Sequence, residues 1–198
     1  MTTVSHSSAV YSPATDTGIP TERLGMWLFL ASEVMFFSGL IGAYIVLRAG
    51  LAHWPHPGEE LSIPAAALNT FILLSSSMTM AMSVASVAKQ DLAKARFFLA
   101  ATILLGAAFL GVKAWEYGNK FAHGHYPGTS LFFDCYFTLT GFHGLHVLGG
   151  VIANLWILAL TFSKNFFTRW GHFVELSGLY WHFVDLVWIF LFPLVYLL

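Results

Sequence analysis

Five long apolar runs separated by short polar breaks set the pattern of the chain. They cover about residues 24–47, 65–88, 96–118, 131–162 and 172–197. Each meets the roughly 20 mainly apolar residues that a helix needs to cross a hydrocarbon core. The breaks hold ordinary helix stoppers. His53-Trp54-Pro55-His56-Pro57-Gly58 follows the first run, and Pro64 is placed to open the second helix. Lys89-Gln90-Asp91, His123-Gly124-His125-Tyr126-Pro127-Gly128 and Ser163-Lys164-Asn165 follow the next three. No internal repeat is present. The pattern predicts an all-α polytopic membrane protein, with five transmembrane helices in one bundle over residues 23–198. Residues 1–22 are polar and rich in Ser and Thr, and are expected to form a disordered cytoplasmic tail. They lack the basic and apolar segments of a cleavable signal peptide.

Polar residues inside the runs carry more information than the runs themselves. The last run holds His172, Glu175, His182 and Asp185. At 100° per residue, Glu175, His182 and Asp185 fall within an arc of about 80°, with His172 at its edge. An ionisable side chain in hydrocarbon is unfavourable, so this stripe is expected to face protein or water. In the fourth run Thr140, His143, His146, Gly150 and Asn154 share an arc of about 120°. Its two histidines are expected to meet the acidic stripe of the fifth. Ser75, Thr79, Ser83 and Ser86 form a small-residue stripe on the second run, read first as close packing.

Glu33 lies a third of the way into the first run, on a face with Phe29, Phe36, Phe37, Leu40 and Tyr44. Desolvation penalises a charged carboxyl there, so Glu33 is expected to be protonated beside a lipid-filled or weakly hydrated cleft. A hydrogen bond across the bundle is the equal alternative. Lys113 and Glu116 read as an i,i+3 ion pair at headgroup level.

Composition and charge narrow the class. Of 198 residues, 57% are hydrophobic and 10% charged, against roughly 25% charged in soluble domains. A net charge of -1 gives no reason to expect nucleic acid. The one cysteine, Cys135, excludes an internal disulfide and a Cys-rich metal site. Arg23, Lys89, Lys94, Arg96, Lys164 and Arg169 fall on the side of the N-terminus, and only Arg48, Lys113 and Lys120 on the other. This bias predicts a cytoplasmic N-terminus.

Three one-turn pairs, His143/His146, His172/Glu175 and His182/Asp185, resemble metal-ligand material. Di-iron bundles draw Glu and Glu-x-x-His from facing helices. Here both His-x-x-acid pairs sit on one helix, roughly 15 Å apart, which favours a buried hydrogen-bonded network over a metal site. Haem ligation would need histidines such as His146 and His182 to face each other. No phosphate loop, nucleophile elbow or Cys redox motif is present. The chain therefore reads as having no catalytic, cofactor-binding or metal residue of its own, and as a subunit of something larger. A di-metal membrane oxidase and a proton-coupled carrier are the rival readings.

The run Gly178-Leu-Tyr-Trp-His-Phe-Val-Asp-Leu-Val-Trp-Ile-Phe-Leu-Phe-Pro-Leu-Val-Tyr196 resembles the closing helix of subunit III of the haem–copper oxidases, the cytochrome c oxidase type. Ser32-Glu33-Val-Met-Phe-Phe-Ser-Gly39, Glu116-Tyr117 and Thr140-Gly-Phe-His143-Gly-Leu-His146 agree in the family's order, and the resemblance covers about residues 22–198. It implies a non-redox subunit of a proton-pumping terminal oxidase in a bacterial cytoplasmic (inner) membrane. Haem and copper would lie in subunits I and II. The chain would pack on subunit I, with a small subunit IV as a further partner. It would hold phospholipid, support proton uptake and limit inactivation during turnover. Glu33 matches the family's buried carboxyl, Glu116 its helix-end acid, and His143, His146, His182 and Asp185 its internal network.

Two departures stand out. Many members have seven spans, whereas this chain matches from the third onward and has five, so lipid positions do not transfer. It also ends at Leu197-Leu198 without the family's common aromatic and Gly ending. Glu33, where quinol-oxidase relatives often carry Asp, leans toward cytochrome c as donor rather than quinol. Subunit III of a quinol oxidase and a nitric-oxide-reductase accessory protein are the nearest alternatives.

Overall fold

The structure is a computed structural model that describes residues 20–51, 54–55 and 61–198. It is an all-α bundle. The elements are α1 (Thr21–Gly50), α2 (Ile63–Ala88), α3 (Leu92–Ala122), α4 (Leu131–Leu160), the one-turn α5 (Phe166–Arg169) and α6 (Gly171–Phe192), closed by a π-helical segment, Pro193–Leu197. Five helices, α1 to α4 and α6 with its π-helical end, are long and apolar enough to cross a membrane. The shortest, α2, has 26 residues; at 1.5 Å per residue that is about 39 Å, so the ends project past a roughly 30 Å core. The polar tail read as residues 1–22 lies mostly outside the described residues, as does most of the loop from His53 to Gly58. Within the described part, α1 begins at Thr21.

Outside and inside are reversed relative to a soluble domain. Val46, Leu104 and Phe71 are about 70% exposed, whereas Asn69, Thr102, His143 and Asn154 are fully buried. Apolar surface on this scale is stable against lipid tails, and polar groups gather where they can meet one another. The protein is a multi-pass membrane protein.

The closest helix pair is α2 with α3. Its turn is fixed by Gln90, whose φ of 57° is left-handed, and by Asp91, which caps α3 by accepting from the Lys94 backbone N–H at 3.1 Å. Small side chains let the two helices approach. Thr79 meets Thr102 Oγ1 at 2.8 Å and Ser83 donates to the Ala95 carbonyl at 3.1 Å. Ser75 and Ser86 instead bond to carbonyls of their own helix.

The core is built around α6, which packs against α2, α4 and α1. Its key residue is Trp181, fully buried. The indole N–H donates to Ser76 of α2 at 3.0 Å. The ring fills the space left by Gly106 of α3 and Gly150 of α4, where an added Cβ would lie 2.7 Å from ring carbons. One side chain thus registers four helices. By contrast α1 is peripheral, with its main contacts to α6 and α4. Apolar grooves flank it on both sides. Val34, Phe37, Ile41, Phe183 and Phe190 line one, and Leu40, Tyr44, Leu47, Cys135 and Leu139 the other.

Candidate functional site

The polar residues singled out from the sequence do not form one centre. They divide among three places. Among the described residues, no three His, Cys, Asp or Glu side chains come together in a metal-holding group.

The first cluster joins α1 to α4. Glu33 Oε2 lies 2.9 Å from His146 Nε2, with both side chains about 17–18% exposed. The pair is lined by Phe36, Phe37 and Phe142. Its hydrogen bonds count protons. Nδ1 of His146 is 2.7 Å from the Phe142 carbonyl, which can only accept, so Nδ1 carries a proton. Nε2 then either accepts from a protonated Glu33 or, in an imidazolium, donates to a Glu33 carboxylate. One proton therefore lies between the two groups. Glu33 is not a carboxyl isolated among aromatic rings; the cross-bundle hydrogen bond is the arrangement present. His146 meets this acid of α1 rather than the acidic stripe of α6. Contact with α6 is made through its backbone, whose carbonyl accepts from Tyr180 Oη at 2.9 Å.

The second cluster surrounds Lys113. Its ammonium lies 3.0 Å from Glu116 Oε2, 2.7 Å from Tyr196 Oη and 3.3 Å from Tyr136 Oη. Tyr196 in turn donates to Glu116 Oε1 at 3.0 Å. Rings of Tyr117, Tyr136, Trp188 and Tyr196 enclose the cation at 5.1–5.5 Å from their centroids. The i,i+3 ion pair read from the sequence is present, and its side chains are only 7% and 3% exposed, because Tyr196 and Tyr136 arrive from other elements and close over it. An i,i+3 spacing reveals the pair and not its lid.

Beside this cluster His143 is fully buried. Its ring stacks on Trp188 at 5.0 Å and meets the edge of Phe109 at 5.7 Å. Neither ring nitrogen has a hydrogen-bond partner. His143 does contact α6, as the arc on the fourth run implied, but through an aromatic ring and not an acid.

The third group lies on α6. His182 Nδ1 pairs with Ser77 Oγ of α2 at 2.7 Å, so His146 and His182 face different neighbours and do not form a ligand pair. Asp185 is buried, and both of its carboxylate oxygens lack partners. Glu175, near the start of α6, is bound by Arg23 of α1 at 2.7 Å. His172 lines a recess with Gln90, Phe167 and Glu175.

Sequence reasoning missed several participants. Ser77, Asn69, Tyr136, Tyr196 and the bond from Ser177 to Asn154 at 2.7 Å are among them. Asn69 and Asn154 carried a signal, since an amide in an apolar run requires a buried partner or water. The tyrosines carried none, because aromatic residues are common throughout the chain.

Residues 4–198 match the family described as cytochrome c oxidase subunit III. The match reaches further toward the N-terminus than the motifs covering about residues 22–198. The chain is similar to cytochrome c oxidase subunit 3 of Synechocystis sp., 40% identical over 184 residues, covering 91% of this chain and 78% of the relative. It is 36% identical over 176 residues to the Thermostichus vulcanus protein of the same name, covering 88% and 86%. It is also 36% identical over 180 residues to that of Bacillus sp. (strain PS3), covering 88% and 84%.

Proposed function

The chain belongs to the cytochrome c oxidase subunit III family, and on that premise we propose that it is the non-redox third subunit of a proton-pumping, oxygen-reducing terminal oxidase. Its setting is the cytoplasmic membrane of a bacterium, its N-terminus is cytoplasmic, and cytochrome c is the donor to the complex. The chain packs on subunit I, orders phospholipid and supports proton uptake. It contributes no haem, copper or catalytic residue.

The observation that carries this reading is the Glu33–His146 pair, one proton shared between two helices in a half-buried aromatic setting. Such a pair can hold a proton without leaving a net charge in hydrocarbon, which suits a subunit that conditions the proton environment of a neighbour. The grooves on either side of α1 are lined mainly by apolar side chains, with Asp134 and Thr138 in one and Ser38 in the other, which supports the lipid role.

The test is Glu33→Ala in the assembled oxidase. Haem content and initial oxygen uptake are expected to stay close to wild type. Activity should decay several-fold faster over successive turnovers, about 1 kcal/mol on the inactivation barrier. Unchanged activity and unchanged durability together would remove Glu33 from this role.

A further inference from the structure

The polar stripe of α6 reaches the outside of the bundle. His182 is exposed on the face shared by α2 and α6, with Ser77 bonded to its Nδ1. It stands about 16 Å along the helix axis from Gly171 in a span that ends at Leu197, which is the middle of the hydrocarbon. One turn on, Asp185 is 4% exposed and neither carboxylate oxygen has a partner. Ser77 stands between the two groups, its hydroxyl paired with His182 Nδ1 at 2.7 Å and near the Asp185 carboxyl. Around this spot the surface is apolar, with Leu74 and Met78 of α2 and Leu186 and Ile189 of α6 all exposed.

Acyl chains offer neither donor nor acceptor, so an outward ring nitrogen at this depth is unfavourable against lipid. A neighbouring protein segment supplies what lipid cannot. The small residues Ala81 and Ala85 on the same face are exposed as well, and allow a second helix to approach closely. Further along the face, toward the start of α6, lies the recess lined by Val84, Val87, Gln90, Phe167, His172 and Glu175, which continues the surface.

We infer that the α2–α6 face around His182 is a docking surface for a membrane-spanning helix of another subunit, one carrying an amide or hydroxyl side chain at mid-bilayer depth. Whichever tautomer Ser77 selects, the outward Nε2 is a donor or an acceptor, and amides and hydroxyls serve both. This inference rests on the chain being part of an oxidase complex and specifies the face by which it joins.

The test places benzoylphenylalanine at Met78 or Ala81, purifies the tagged complex in mild detergent, irradiates it and locates adducts by mass spectrometry. The expected product joins this chain to a membrane span of another oxidase subunit that holds Ser, Thr, Asn or Gln near the attachment point. Adding His182→Leu should reduce that adduct about fivefold, the equivalent of one net hydrogen bond. Adducts only with lipid or with a second copy of this chain, or an undiminished adduct in His182→Leu, overturn the docking surface. If haem co-purifies in those cases, the oxidase reading still stands. A protein adduct from this face in a complex without haem would keep the surface and remove the oxidase reading.

Discussion

A lysine ammonium enclosed by four aromatic rings and one carboxylate is stable only as a set. Removing Lys113 alone leaves Glu116 charged and buried, so Lys113→Met should lower stability by about 3–5 kcal/mol. The double variant Lys113→Met, Glu116→Leu removes both charges and should recover most of that loss, read as apparent melting temperature in detergent. Additive losses in this cycle would show that the two residues act independently. At the bundle end a carboxyl behaves differently. Lys94 bonds to Asp91 through both its side chain and its backbone N–H, and holds the carboxyl below its ordinary range. A group lowered in the fold favours the fold above its unfolded value, about 3.9, and loses that effect as pH falls through the folded one. The α2–α3 turn should therefore loosen below about pH 4, seen as a lower protection factor for the Lys94 amide once intrinsic exchange is divided out. In Asp91→Asn, which keeps a capping oxygen, that protection factor should no longer depend on pH in this range. At this scale the sequence singled out Glu33 and His146 as intramembrane polar groups and Lys113 and Glu116 as an i,i+3 pair. It did not announce that Glu33 and His146 are partners, because they meet across more than a hundred residues of chain.

Helices were legible as elements because hydropathy reports the hydrocarbon that each must cross. Their ends were less so, since apolar runs stop at the lipid boundary while backbone hydrogen bonding continues beyond it. Two local features escaped for the same reason. The turn α5 is too short to carry a period. The π-helical end follows from Pro193, which lacks an N–H and so cannot continue the i→i+4 ladder; Leu198 N–H instead reaches the Pro193 carbonyl at 3.0 Å. Packing between elements rests on volume more than on polarity. A side chain at Gly150 would run into Trp181, and Gly150→Val should cost about 1–3 kcal/mol through overpacking, and more if Trp181 cannot shift. At Gly39 nothing lies within 4 Å of an added Cβ. Gly39→Ala should leave the melting temperature unchanged, or raise it slightly through helix propensity. Equal effects at the two glycines would contradict the role given to Trp181 as the element that registers four helices.

The whole molecule has a firm part and a loosely attached one. Helices α2, α3, α4 and α6 enclose Trp181 and the Lys113 cluster, whereas α1 is held by a few separate bonds. Arg23 binds Glu175, Glu33 binds His146, Tyr44 donates to the Leu194 carbonyl at 3.0 Å, and Arg48 binds the Leu198 carbonyl. The Arg23–Glu175 pair is exposed on both sides, at 50% and 44%, and such pairs contribute about 0–1 kcal/mol. Glu33–His146 is therefore the main polar tie along the middle of α1, which has grooves on both sides. Sequence could place five spans and their polar faces, but not this inequality, because adjacency in a bundle depends on which faces fit once all five are present. Opening is expected to be local, with α1 exchanging its amide hydrogens before the α2–α3 pair. Glu33→Ala should raise exchange in α1 alone. On the proposed lipid role, in which acyl chains fill the flanking grooves, delipidation should do the same. Exchange that rises uniformly across all five helices in either experiment would mean that α1 is locked into the bundle and that lipid does not hold it there.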